Sequence, residues 1–79
     1  MSNREKYDRV FMEVFEVSAD QLSEALEYQS IPAWDSVGHM SMIAALEDEF
    51  DVSFEMDDVI EFGNYSTGLD TLRKYGVEM

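Results

Sequence analysis

Ser36 and His39 are the residues whose types and spacing first suggest chemistry. They lie three positions apart, so on a helix the hydroxyl and the imidazole would share one face. A nucleophilic serine also needs an orienting carboxylate, an oxyanion hole and a substrate cleft. The chain has one histidine, no cysteine and no Gly-x-Ser-x-Gly elbow. We therefore expect no catalytic residues and a non-enzymatic protein, with His39 packed at the edge of a helix.

Two acidic clusters, at positions 47–51 and 55–61, are the second candidate for chemistry. Carboxylate oxygens are the ligands that Ca²⁺ and Mg²⁺ prefer, but neither cluster has the spacing of an EF-hand loop. The sequence thus predicts no specific metal site and at most weak binding of divalent cations. A solvated acidic helix face is the favoured interpretation.

The charge of the chain restricts its partners. The chain has eighteen Asp and Glu and five Lys and Arg, which gives a net charge of −13, and no Lys or Arg occurs from Val10 to Leu72. Such a field repels nucleic acid and anionic membranes and attracts basic patches on proteins. No stretch approaches the roughly 20 apolar residues that cross a bilayer, and the lack of cysteine favours a reducing compartment. We expect a cytoplasmic monomer that binds neither nucleic acid nor membranes.

The first predicted helix runs from Asn3 to Glu16. Ser2 and Glu5 have the spacing of a capping box, and an apolar stripe with helical period follows them. The stripe consists of Tyr7, Val10, Phe11, Val14 and Phe15.

A long loop is predicted from residue 17 to residue 35. Its apolar residues are unevenly spaced, and Pro32 is incompatible with a helix interior. A short turn is expected at 25–27. Because loops of this length are unusual in small domains and usually have a function, we expect this one to deliver Asp35 and Ser36 to one end of the fold.

The second helix is predicted to begin at Asp35 or Ser36 and to end near Phe50. Its core stripe is Met42, Ile43, Leu46 and Phe50, whereas the opposite face combines small apolar groups with acids: Val37, Met40, Ala44, Glu47 and Asp48. A mixed face of this kind suits transient docking. Scattered exposed apolar residues are the ordinary alternative.

Two shorter helices complete the predicted fold. The third covers residues 56–62, and the fourth starts near Asn64 or Ser66 and ends near Tyr75, with Arg73 and Lys74 in its last turn. The side chains expected to face inward from the third helix are Met56, Val59, Ile60 and Phe62. With 79 residues the chain is long enough for a single domain, so we expect an all-α four-helix bundle with a long first loop and a short third helix.

The whole chain resembles the acyl carrier protein family. The likeness is sharpest over residues 34–40, Trp-Asp-Ser-Val-Gly-His-Met, and over residues 45–50, Ala-Leu-Glu-Asp-Glu-Phe. These segments are similar to the family's Asp-Ser-Leu motif and to the helix that follows it. The order of long helix, long loop, acidic helix, short helix and last helix is also that of the family.

The resemblance implies a carrier with a covalent cofactor. A phosphopantetheinyl transferase would use Mg²⁺ to move 4′-phosphopantetheine from coenzyme A onto Ser36, and acyl intermediates would travel as thioesters on the thiol. The other implied partners are acyl-loading, elongating or acyl-transferring enzymes with basic docking patches, serving fatty-acid-like, lipid, envelope or specialised-metabolite synthesis. The residues implied in their recognition are Asp35, Val37, Met40, Glu47 and Asp48.

Two alternatives stay open. An aminoacyl or peptidyl carrier shares the fold and the arm, and an unmodified acidic protein-interaction or cation-binding module would use Ser36 only as a helix N-cap. Gly38 and Ser41 stand where many fatty-acid carriers have further acids, which suggests a different set of partners.

Overall fold

Four α-helices make up the computed structural model, which describes residues 1–79: α1 (Asn3–Phe15), α2 (Ser36–Phe50), α3 (Met56–Glu61) and α4 (Tyr65–Lys74). There is no β-strand, and an isolated antiparallel bridge pairs Glu27 with Asn64. The prediction of a small all-α fold with four helices is confirmed. None of these helices combines the length and the apolar composition that crossing a bilayer requires.

The ends of α1 follow from its sequence. The Ser2 hydroxyl accepts a hydrogen bond from the Glu5 N–H at 3.1 Å, and the Glu5 carboxylate accepts one from the Ser2 N–H at 3.1 Å, which is the predicted capping box. The helix ends at Phe15, one residue earlier than predicted. Glu16 has a left-handed φ of 55°, a common way to end a helix.

An aromatic core fills the space between the helices. Phe11 is fully buried and contacts the rings of Phe15, Phe62 and Tyr65, and the indole of Trp34 stacks on Phe15 with centroids 4.8 Å apart. The predicted stripes supply much of this core: Tyr7, Val10, Phe11 and Phe15 from α1, and Met42, Ile43 and Leu46 from α2. Full burial of each large side chain stabilises the fold by about 1.5–3 kcal/mol.

The third helix is turned differently from the prediction. Met56 and Ile60 are each 72% exposed, so the expectation that they face inward is wrong. The inward side instead carries Asp58, whose buried carboxylate accepts hydrogen bonds from Lys74 Nζ and Tyr75 Oη at the end of α4. Since residues four apart share a helix face, fixing Asp58 inward leaves Met56 and Ile60 on the outer side. Val59 is half-buried, and Phe62, just past the helix, is buried as predicted.

Hydrogen bonds, rather than regular structure, hold the loop before α2. A one-turn 3₁₀-helix at Ala19–Gln21 was not predicted. The turn expected at 25–27 lies earlier, where the Leu26 N–H donates to the Ser23 carbonyl at 2.9 Å. The Leu26 carbonyl in turn accepts from the Tyr65 N–H at 3.0 Å, so the loop is docked on the start of α4.

The fourth helix begins and ends as predicted. The Asn64 side chain accepts from the Thr67 N–H at 2.7 Å and caps the helix, and Arg73 and Lys74 lie in its last turn. Cations in that position interact favourably with the helix dipole.

Candidate functional site at the start of helix α2

Ser36 is the first residue of α2, and its side chain is exposed. The N-cap is Asp35, whose carboxylate accepts from the Gly38 N–H at 2.8 Å. The interpretation of Ser36 as a helix N-cap is therefore wrong. The Ser36 hydroxyl instead lies 2.9 Å from the hydroxyl of Tyr28, and either oxygen can be the donor. The start of α2 thus presents a serine hydroxyl that capping does not occupy.

His39 is half-buried and bonded through both ring nitrogens. The Trp34 indole N–H donates to Nδ1 at 3.0 Å, and Nε2 lies 2.8 Å from the Val59 carbonyl oxygen. Because an indole can only donate, Nδ1 is the acceptor and Nε2–H donates to Val59. No Ser36–His39 hydrogen bond forms, and the prediction that His39 packs at the edge of its helix is confirmed.

An apolar groove of about 340 Å³ opens beside Ser36, between α2 and α3. Its volume is at the lower end of the range for small-molecule sites. The hydroxyls on its lining are those of Tyr28 and Ser36. The full lining is Tyr28, Ser36, His39, Met40, Val59, Ile60, Phe62 and Gly63.

The five residues expected to face partners do not share one environment. Val37 is 75% exposed and Met40 is 55% exposed, and Asp35 and Asp48 are exposed as well. Glu47 is half-buried, and its carboxylate accepts from the Phe54 N–H at 2.8 Å. Glu47 therefore fixes the turn after α2, whereas the other four form an open acidic and apolar surface.

Comparisons of the chain with protein-family models, with curated protein sequences and with solved structures found no match in any of the three. Function is therefore inferred from Ser36, from its neighbours and from the groove.

Within the acidic cluster at positions 55–61, Asp58 has a structural role, because it forms an ion pair with Lys74 and a hydrogen bond with Tyr75. The Lys74 ammonium, and after it the Tyr75 hydroxyl, hold the pKa of Asp58 below its usual value, and the same ion pair raises the pKa of Lys74. No group of three or more His, Asp or Glu side chains is arranged to hold a metal ion.

A second polar cluster joins α1 to α4. The Tyr7 hydroxyl donates to the Tyr65 carbonyl at 2.7 Å, and the Tyr65 hydroxyl donates to Asp8 and accepts from Arg4 Nε. Burial raises the pKa of the Tyr7 and Tyr65 hydroxyls, and the hydrogen bond to Tyr65 raises the pKa of Arg4. None of these side chains lines the groove.

Sequence reasoning missed Tyr28 and the structural role of Trp34. Tyr28 lies in a segment without periodicity, so no pattern predicts that it contacts Ser36. The buried position of Trp34 could have been predicted only from its residue type. A tryptophan just before a helix is large enough to anchor the loop in the core.

Proposed function

We propose that this chain is an acyl carrier protein in which Ser36 receives 4′-phosphopantetheine from coenzyme A. The observation that carries the proposal is the position of the exposed Ser36 hydroxyl. Asp35, and not Ser36, caps α2, and Ser36 lies on the lining of an apolar groove. The chain itself is not an enzyme. It presents a serine to a transferase and then an acyl thioester to successive enzymes.

The attachment step is a phosphoryl transfer. The Ser36 oxygen attacks the β-phosphorus of coenzyme A, the bond to the adenosine 3′,5′-bisphosphate breaks, and the serine proton passes to a base of the transferase. The first N–H groups of a helix have no acceptor within it. Those of Ser36 and Val37 lie at the positive end of the α2 dipole and favour the phosphodiester that forms there.

The groove suits an apolar cargo. Its walls include Met40, Val59 and Ile60, and Ser36, the proposed attachment point of the arm, lies on the same lining. Phe11 and Trp34 fill the interior of the bundle, so the cargo lies between α2 and α3 at the surface. An apolar lining favours an acyl group over the charged amine of an aminoacyl group.

The open face of α2 is proposed to bind partner enzymes. Asp35 and Asp48 supply exposed negative charge, and Val37 and Met40 supply exposed apolar surface next to Ser36. A net charge of −13 steers this face toward basic patches on the transferase and on acyl-transferring enzymes. Glu47 adds to the field while it holds the Phe54 amide.

The order of the helices also supports an acyl-carrier-like arrangement. A long loop leads to α2, and the short α3 closes one side of the groove beside Ser36.

A pair of serine variants tests the proposal. The chain is incubated with coenzyme A, Mg²⁺ and a phosphopantetheinyl transferase of broad specificity, and intact mass is measured. Ser41→Ala, which removes an exposed serine from the same helix, should gain one phosphopantetheine, and Ser36→Ala should gain none. Modification of Ser36→Ala would overturn the assignment.

A further inference from the structure

Tyr28, in the loop before α2, contacts Ser36, the proposed modification site. Its hydroxyl is 2.9 Å from the Ser36 oxygen, and its ring meets the His39 ring edge-on, with centroids 5.7 Å apart and planes at 78°. Both contacts are made from the loop, so the position of this hydroxyl depends on how firmly the loop is held.

The backbone around Tyr28 is hydrogen-bonded on both sides. The Tyr28 N–H donates to the Gly63 carbonyl at 2.9 Å, and the Gln29 N–H donates to the Trp34 carbonyl at 2.9 Å. Ser30 closes the turn, since its hydroxyl accepts from the Glu27 N–H and donates to the Glu27 carbonyl. These hydrogen bonds hold the loop in place, so a contact made by Tyr28 needs little further ordering.

Modification changes what the Tyr28 hydroxyl can bond to. In the unmodified chain either hydroxyl can donate, but a phosphorylated Ser36 oxygen has no hydrogen and is an ester oxygen. The phosphodiester beside it carries anionic oxygens, which are stronger acceptors for a hydroxyl than a neutral oxygen.

We propose that Tyr28 is a positioning residue for the arm: its hydroxyl donates to the phosphodiester on Ser36 and turns the arm along the groove. Tyr28 and Ser36 both line that groove, together with Met40 and Ile60. An arm held on the Tyr28 side runs over this apolar surface and away from the Val37 side of α2. This inference depends on the proposed function and adds a residue that decides the direction of the arm.

Tyr28→Phe tests the inference, because it removes the hydroxyl and keeps the ring against His39. Both proteins are loaded with the arm, and loading is confirmed by intact mass. Loss of the hydrogen bond should move the ³¹P resonance of the phosphodiester. It should also speed alkylation of the arm thiol by a bulky reagent, by roughly two- to tenfold, the range for one hydrogen bond.

Tyr75→Phe is the matched control, since it removes a hydroxyl that bonds Asp58 and the Glu55 amide instead. It should leave the phosphorus resonance and the alkylation rate as in the unsubstituted protein. Loaded Tyr28→Phe with an unchanged resonance and an unchanged rate would overturn the inference alone. Failure of the unsubstituted chain to accept any arm would overturn the proposed function and this inference with it.

Discussion

The indole N–H of Trp34 donates to Nδ1 of His39 at 3.0 Å, and the other nitrogen of the same ring bonds the Val59 carbonyl. One imidazole thus joins the segment before α2, the helix α2 and the helix α3. These are the elements that surround the groove beside Ser36. His39 therefore contributes to the site by fixing its walls, and Ser36 is bonded to Tyr28 instead.

Replacing His39 should destabilise the fold. In His39→Ala the fully buried Trp34 loses the acceptor for its N–H, and an unsatisfied buried donor costs about 1–3 kcal/mol. Urea unfolding followed by the fluorescence of Trp34, the single tryptophan, measures the loss. Met40→Ala, one position along and more than half exposed, is the control and should change the free energy of unfolding by less than about 0.5 kcal/mol. Equal midpoints for the two variants would contradict the structural role of His39.

Asp35 and Ser36 should differ in their effect on stability. Asp35→Ala removes the side chain that caps α2 and should cost about 1 kcal/mol of the free energy of unfolding. Ser36→Ala removes one exposed hydroxyl and should cost less. Urea midpoints of the two unmodified variants check this order, and a larger loss from Ser36→Ala would show that the cap has been misassigned.

Gly68 should not accept a methyl group. A Cβ at this position would overlap the ring of Phe62 and the hydroxyl of Tyr7, and both are buried. Overpacking of this kind costs about 1–3 kcal/mol, so Gly68→Ala should lower the melting temperature by several degrees. In Gly63→Ala the nearest atom to the new Cβ is 3.7 Å away, which is ordinary contact, and this variant should melt close to the unsubstituted protein. Similar melting temperatures for the two variants would mean that α4 does not approach Tyr7 this closely.

The lowered pKa of Asp58 makes the free energy of unfolding depend on pH in a direction that can be predicted. The Lys74 ammonium and the Tyr75 hydroxyl lower the pKa of Asp58 in the folded protein. A carboxyl whose pKa is lower folded than unfolded stabilises the fold above about pH 4, and the stabilisation is lost as the pH falls through the folded pKa.

At neutral pH, Asp58→Asn should therefore have a lower urea midpoint than the unsubstituted protein. The gap between the two midpoints should shrink as the pH falls. Midpoints measured from neutral pH down to about pH 3 check the trend. Asp57→Asn, an exposed neighbour on α3, is the control for general charge effects and should change stability little at neutral pH. A gap for Asp58→Asn that stays constant across this range would contradict the ion pair.

The helices α1, α2 and α4 could be predicted from the sequence because each has a capping residue and enough length to show an apolar period. The six residues of α3 are too few for periodicity to choose a face, and the prediction for Met56 and Ile60 failed there. The orientation of α3 depends on the contact of Asp58 with Lys74 and Tyr75 at the end of α4. A tertiary contact of this kind cannot be predicted from the pattern of residues within α3.

The site was predictable to the extent that it lies on α2. The exposed Val37 and Met40 follow from helical spacing, and Ser36 was singled out by the resemblance of its segment to the Asp-Ser-Leu motif. The Tyr28 contact comes from a loop whose path is fixed by backbone hydrogen bonds, which no sequence pattern indicates. Gly38 was interpreted from sequence as a sign of different partners. The structure gives it a packing reason, because an added Cβ would overlap the Ala33 carbonyl oxygen.

The measurement that tests the central claim most directly is the intact mass of the unsubstituted chain before and after incubation with coenzyme A, Mg²⁺ and a phosphopantetheinyl transferase. Fragmentation of the modified peptide then locates the added group. We predict a gain of one phosphopantetheine, located on Ser36. A folded and initially unmodified protein that gains nothing, or that gains the group on another residue, would contradict the carrier assignment.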